Sequence, residues 1–477
     1  MTATTAGIEI GTRERHIAEM AGSALDVLIV GGGINGAGIA RDLAMRAGGK
    51  WRIGLVERRG FSGGTSGRNS QLIHGGLRYL KYFEFSLVKE ALHERATLVK
   101  IAPHLVEPLP LLLPFYRAID RYFYGMGLWL YDQLAGRLNI GRRRYLAPAE
   151  VAAVEPGLAR EGLHSAAIYH DCAVGSARLV LENLQDAVRR GAFIANYVQA
   201  EPWRREGGEY AVDIEDSFNR ERRTLRARRI VDARGPWETG GNVRLVRGSH
   251  LIVPRLNASD NAIAYFGPDG RIIFVIPWGR EKKLSLVGTT DIDHGGSADD
   301  VRISAGEVAY LRGVVRRLFP GKPDQPVAAY SSLRPLIVSG NSSATAASRS
   351  HKIWMEDGVL KIAGGKYTTY RSMAAEAVDL LAPEWRGRCR TGEERLPDPA
   401  AAIAAAGGPV AYAVRHEMAR RLPDVMYVST YWGHEKTWTA AALEPVAREM
   451  GAMLGWDAAR VADEVALTLD LARMPGA

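Results

Sequence analysis

The stretch VLIVGGGINGAGIARDLAMRAGGKWRIGLVE at residues 27–57 decides the fold. Val27 to Val30 read as a buried parallel strand, the glycine cluster as a turn, the residues after it as a helix, and IGLV as a second strand ending at Glu57. That order holds a pyrophosphate. Gly31 permits the tight turn, Gly33 lets the backbone approach phosphate, and Gly36 lets the helix pack on the strand, with Ile34 and Asn35 opening the helix whose free N–H groups face negative charge. Glu57, about 20 residues past the turn, stands where a carboxylate accepts hydrogen bonds from an adenosine ribose and disfavours the extra phosphate of NADP. The unit predicts adenine dinucleotide binding.

Downstream, FSGGTSGRNS at 61–70 follows Arg58 with glycines and hydroxyls, Thr65 and Ser66 among them, in a loop suited to continue along the phosphates. Residues 177–190 read as an amphipathic helix, and FIANYVQA, which contains Val198, as one strand. After a charged, hairpin-like region comes IVDARGPW, a short apolar strand running into Gly235. These pieces look like a second pass through the same sheet, so the nucleotide-binding domain is expected to be discontinuous. In GVLKIAGGKYTTYR another apolar strand meets Gly364 and Gly365 and then a helix beginning near Tyr367. The junction reads either as another strand-to-helix turn or, were an isoalloxazine ring placed near it, as a positive helix end that would stabilise the anionic reduced flavin.

The 477 residues suffice for two or three domains. A net charge of +9 favours acidic surfaces, anionic headgroups or phosphorylated substrates. Cys172 and Cys389 stand far apart without ligand spacing, which points away from a disulfide framework or zinc site and towards a reducing compartment. Residues 1–23, with Arg13, Glu14 and Arg15, are expected to form an arm or short helix and not a secretory signal. No apolar run reaches the roughly 20 residues that span a bilayer. The apolar segment Leu109 to Tyr131, followed by Arg137, Arg142, Arg143 and Arg144, suits either a headgroup interface or a buried helix. After Arg390 an Ala/Gly/Pro-rich linker leads to three segments of helical spacing, Val410 to Leu422, Ala440 to Leu454 and Ala458 to Leu471.

Several longer motifs then carry a resemblance: SQLIHGGLRYL at 70–80, FSLVKEALHER, APHLVEPLP, RGSHLIVP at 247–254, FVIPW at 274–278, VGTTD at 287–291, SSLRPL at 331–336 and GGKYTTYR at 364–371. Together they resemble the FAD-dependent glycerol-3-phosphate dehydrogenases of respiratory metabolism, from about Leu25 to Val425. The resemblance implies an α/β fold with a discontinuous FAD-binding Rossmann-like domain of the glutathione-reductase type over 24–66, 155–232 and 338–395. It further implies an antiparallel-sheet substrate domain over 67–154 and 233–337, and a C-terminal helical cap over 396–477. The implied activity is oxidation of sn-glycerol 3-phosphate to dihydroxyacetone phosphate, with electrons passed through FAD to membrane quinone. A cytoplasmic enzyme bound peripherally to an anionic membrane surface is expected, and a homodimer is compatible with the family.

Such a reaction needs a base at the alcohol and cations around a dianionic phosphate. By the resemblance, Arg78, Arg334, Arg349 and Lys366 surround the substrate, with Tyr79 and Thr368 as hydrogen-bond partners. Arginine forks suit phosphate, whereas Lys366 acts as a point charge. His250 is the expected base because imidazole titrates near neutrality, and Arg334 is expected to orient the C2 hydroxyl. His74, Gly75 and Gly76 are assigned to the flavin surroundings, the glycines because they allow close backbone approach. Competing readings are an oxygen-reducing oxidase and a flavoenzyme of the same fold acting on another alcohol or an amine. Basic residues are dispersed along the chain, so no nucleic-acid partner is expected. The chain departs from the family pattern at Gly175 and Ser176, at Arg234, and in YVSTYWGHEKTW at 427–438.

Overall fold

The computed structural model describes residue 9 and residues 11–237, 243–267, 269–337 and 351–475. Four helices matter below: α1 (Thr12–Gly22), α2 (Ile34–Ala47), α3 (Phe85–Ile101) and α4 (Ala118–Ala135).

The glycine-turn unit builds a six-stranded sheet, ordered His351–Glu356, Val359–Gly364, Ile230–Asp232, Val27–Val30, Ile53–Val56 and Phe193–Ala195. All neighbours run parallel except the hairpin formed by the first two. The strands read as unbroken apolar runs because both faces are covered. Val27 and Ile29 pack with Ile39 and Leu43 of α2 and with Val180 and Leu184 of the helix Ser176–Arg189. Leu28 and Val30 pack on the opposite face against Tyr210, Val212, Ile214 and Leu225 of a small antiparallel sheet. Each such side chain, fully buried, contributes about 1.5–3 kcal/mol. The parallel strands end together at Val30, Val56, Asp232 and Gly364, so their carboxyl edge opens one crevice.

A larger, ten-stranded sheet is antiparallel apart from the pairing of Ala262–Phe266 with Val106–Phe115. Its longest ladders join Val106–Phe115 to Ser165–Val174 and Val243–Pro254 to Ala328–Ile337. This corrects two expectations. Residues 165–174, assigned from sequence to the nucleotide-binding segment that starts at 155, belong to this second sheet, and the first domain resumes only with the helix at Ser176. The segment Leu109 to Tyr131 is not one element: its first part, LPLLLPF, is a strand with Leu111, Leu112, Leu113 and Phe115 all buried, since neighbours cover both of its faces, and only its second part is helical, as α4.

FIANYVQA is likewise two strands and not one. Tyr197 takes a positive φ of 54°, which turns the chain out of the parallel sheet at Ala195 and into the small sheet at Val198. Residues 12–22 form α1, whose Arg13 is buried against Asn196 O and Asp216. The cap is helical as read, and its divergent segment drives a wedge into the core: Tyr431 Oη accepts from Ala177 N at 2.6 Å, and the ring of His434 lies 4.9 Å from that of Tyr330.

Candidate active site

The glycine turn is locked by backbone geometry. Gly31 holds φ +119°, and a Cβ on Gly36 would stand 1.9 Å from Gly31 O, so α2 starts in direct contact with the turn. Ile34 N donates to Ser66 Oγ at 2.9 Å, tying the loop at 61–70 to the helix start. Glu57 accepts from Gly32 N at 2.6 Å and Arg59 N at 2.8 Å. Burial raises its carboxyl above the ordinary range, against the lowering effect of those N–H groups and the neighbouring arginines.

A cavity of about 460 Å³ runs from this turn to the antiparallel sheet. Gly31, Gly33, Ile34, Asn35, Glu57, Arg58, Thr65, Ser66, His74, Gly76, Val198, Gly235, Gly364 and Gly365 line it. Gly36 and Gly75 do not; they stand one layer behind, where Gly36 abuts the turn and Gly75 abuts Tyr131 and Leu92. Arg234, the departure from the family pattern, also lines the cavity, paired with Asp232 at 2.7 Å and stacked over Trp203.

Arg78, Tyr79, Arg334, Lys366 and Thr368 line the same cavity. Arg349 lies outside the described residues. Arg334 donates through Nη1 to Asp291 Oδ1 at 2.7 Å and through Nη2 to Thr289 Oγ1 at 2.8 Å. Arg78 reaches the other oxygen of the same carboxylate at 3.4 Å. Asp291 therefore bridges two guanidinium groups, a role that its place in VGTTD did not disclose. Lys366 Nζ donates to Gly75 O at 2.7 Å and sits 4.8 Å from the Tyr79 ring centre. Thr368 Oγ1 and the backbone of His74 bond reciprocally, which ties the HGG loop to the turn after Gly365.

His250 is displaced from the role expected of it. It lies in the middle of the antiparallel sheet, opposite Gly288 and Tyr330, and does not line the cavity. Its Nε2 meets Ser70 Oγ at 2.8 Å, while its Nδ1 is buried without a partner. Burial, and then the charge of Arg334, lower the imidazole to about 3. A group so hard to protonate is a poor proton acceptor at neutral pH, and its contact with the cavity passes through the Ser70 hydroxyl.

A His250→Asn variant should accordingly keep turnover within about tenfold and leave the acid limb of kcat/KM unmoved; loss of that limb would restore His250 as the base. The same variant reports on stability. The folded imidazole stays neutral while the unfolded one takes a proton below about 6.5, so its contribution is full above that pH and declines as pH falls towards 3. Thermal melts of His250→Asn should therefore lose less stability than the parent over that window, by roughly 1 kcal/mol per pH unit.

The model for the DAO family, FAD dependent oxidoreductase, matches residues 26–371. The chain belongs to that family. This FAD-dependent oxidoreductase is similar to the aerobic glycerol-3-phosphate dehydrogenase of Escherichia coli K12, at 36% identity over 381 residues, 76% of this chain and 74% of the relative. It is also similar to the D-erythritol 1-phosphate dehydrogenase of Brucella abortus, at 38% identity over 377 residues, 75% of this chain and 73% of the relative. Among solved structures, the glycerol-3-phosphate dehydrogenase of Bacillus halodurans complexed with FAD superposes with a TM-score of 0.76 at 25% identity, covering 97% of this chain and 98% of that one. FAD is the cofactor of this oxidoreductase. The residues present fit it: the crevice floor is bare of side chains at Gly31 and Gly33, Ser66 borders it, and Gly364 and Gly365 hold the backbone open at the other end with φ of +72° and +83°.

Proposed function

We propose that the protein oxidises sn-glycerol 3-phosphate to dihydroxyacetone phosphate and passes the electrons to a membrane quinone. The observation that carries this reading is that Arg78 and Arg334, which share the carboxylate of Asp291, line the same cavity as Lys366. Two guanidinium forks and an ammonium facing one cavity suit the several oxygens of a phosphate better than a single carboxylate substrate.

FAD, when bound, supplies the two-electron acceptor for the carbinol hydrogen. Gly31, Gly33 and Ser66 would hold its pyrophosphate, the remaining lone pairs of Glu57 its ribose, and Gly364 with Gly365 the ring end. The chain's own part is to fix the substrate. Arg334, anchored on Asp291 and Thr289, presents its guanidinium from one rigid direction. Lys366, held by Gly75 O, adds a point charge, and Arg78 over the Tyr79 ring closes the other side. Arrangement in advance of binding lowers the entropic cost of orienting a small, flexible phosphoester.

The quinone acceptor is supported by a surface. Ile119, Tyr122, Phe123, Met126 and Trp129 form an exposed apolar stripe on α4, Tyr122 being 73% and Met126 66% exposed. Phe83 is also exposed, and the exposed Arg117, Arg121, Arg137, Arg142 and Arg144 lie within α4 or close to its ends in sequence. Aromatic and aliphatic side chains bordered by arginines suit shallow insertion among anionic headgroups. No helix among the described residues is long and apolar enough to cross a membrane. Sedimentation with phosphatidylglycerol vesicles at low salt is expected to bring the protein down; protein left in the supernatant would remove this support.

A second reading, a four-carbon polyol phosphate as substrate, draws on the similarity to the Brucella enzyme, since the same cations would receive its phosphate. Anaerobic bleaching of the yellow holoenzyme separates the two. Glycerol 3-phosphate is expected to bleach it with a kcat/KM at least tenfold above that for erythritol 1-phosphate. The opposite ratio would favour the longer substrate, and no bleaching by either would overturn the proposal.

A further inference from the structure

Next to the cavity lies a buried polar cluster. Arg95 of α3 is 0% exposed and Asp171 2% exposed, and they pair at 2.8 Å. Tyr131 of α4 donates its hydroxyl to Asp171, with 2.8 and 2.9 Å to the two oxygens, and accepts from Gly75 N at 2.7 Å. Gly75 N also faces Asp171 Oδ1 at 3.3 Å. The carbonyl of the same residue, Gly75 O, accepts the Lys366 ammonium at 2.7 Å.

An ion pair at this depth is costly to desolvate and is weak evidence for stability. Arg95 even leaves Nε and Nη2 without partners. What the cluster does accomplish is directional. A phenol that donates to a fixed carboxylate has its oxygen lone pair aimed in one direction, and that direction is the Gly75 amide. Fixing the amide restrains the loop at Gly75, and thereby the carbonyl that Lys366 grips. No side chain could take this place: a Cβ on Gly75 would stand 2.5 Å from Tyr131 Oη, and one on Gly76 would stand 2.8 Å from Lys366 Nζ. Burial, reinforced by the charge of Asp171, holds the Tyr131 phenol well above its ordinary range and so in the neutral form that can both donate and accept.

We propose that Tyr131 is a positioning residue for the substrate anion: anchored on the Arg95–Asp171 pair, it sets the Gly75 backbone that aims Lys366 into the cavity. The inference rests on the reading of Lys366 as part of the phosphate site, and it says which buried group determines where that charge stands.

The test is a double-mutant cycle on the FAD-loaded protein, with inorganic phosphate as the probe and the flavin difference spectrum as the readout. Tyr131→Phe keeps the ring and removes the oxygen. It is expected to retain stoichiometric FAD, to weaken phosphate binding about tenfold and to raise KM for the phosphorylated substrate more than it lowers kcat. In a Lys366→Met background the same change should have almost no effect, because the charge it positions is gone. Equal losses in both backgrounds would show that Tyr131 acts elsewhere and would overturn the inference, as would parent-like phosphate affinity in Tyr131→Phe or an undetectable phosphate site in the parent. Should Tyr131→Phe lose its flavin, Asp171→Asn in the same cycle carries the test with the same expected non-additivity. A parent that binds phosphate but is bleached by no polyol phosphate would sink the dehydrogenase reading and leave this one standing.

Discussion

A Gly36→Ala protein is expected to purify with less than a tenth of the parent's flavin. The added methyl would stand 1.9 Å from Gly31 O, and neither side of that contact can yield: one belongs to the first turn of α2, the other to a turn held at φ +119°. Overpacking inside a core costs about 1–3 kcal/mol when side chains can shift, and more when backbone must move. Here the backbone that moves is the part that receives pyrophosphate, so the loss falls on FAD affinity first and on Tm second. Gly313→Ala is the control, because it lies in the helix Ala305–Leu318 outside the crevice and its Cβ would meet nothing within 4 Å. The ratio of absorbance at 450 nm to that at 280 nm for the two purified variants, with their melting curves, decides the matter; full flavin in Gly36→Ala would contradict the crevice as the cofactor site.

Arg334→Ala should lower kcat/KM for glycerol 3-phosphate by roughly 10²–10⁴-fold, corresponding to about 3–5 kcal/mol for breaking a buried, hydrogen-bonded charge pair. Two losses combine. The guanidinium no longer meets the phosphoester, and Asp291, 7% exposed, is left facing the cavity with less compensation. Arg334→Lys should recover only part of this, since one ammonium cannot serve Asp291 and Thr289 in the geometry of the fork. The contact of Arg78 with the same carboxylate is longer, 3.4 Å, so Arg78→Ala should be the milder change. A loss under tenfold for Arg334→Ala in steady-state assay would move the phosphate elsewhere.

The parallel sheet was legible because its period is short and its punctuation strong: VLIV, GGG and a carboxylate at the right distance leave little else for residues 27–57 to be. The antiparallel sheet was less so. LPLLLPF buries alternate residues on both faces, which erases the two-residue alternation that marks a strand, and FIANYVQA hides its break at Tyr197, a residue type that seldom adopts positive φ. Arg78, Arg334 and Lys366 were singled out through long motifs, and all three line the cavity. Asp291 went unassigned although its motif was read, because a carboxylate among residues expected to hold an anion looks wrong until the two arginines it bridges are seen. Tyr131 and Asp171 gave no signal at all; their meaning depends on Gly75, which is 56 residues from one and 96 from the other. His250 carried a signal that overstated its part, for sequence reports that an imidazole is present and says nothing of the water it has lost.

The parallel sheet also has a history on the ribosome. Val27–Val30 emerges early, yet its neighbour on one side is Ile230–Asp232, and the next strand out, Val359–Gly364, comes more than a hundred residues later still. At about 5–20 residues per second, the first strand waits on the order of half a minute before the crevice edge is complete. Until their outer neighbours Ile230–Asp232 and Phe193–Ala195 are made, VLIV and IGLV have only each other, and each presents one open apolar edge, the kind of surface on which nascent chains stick to one another. The cavity itself is complete only once Gly364 and Gly365 have been made, because they line it together with Gly31, Gly33 and Glu57.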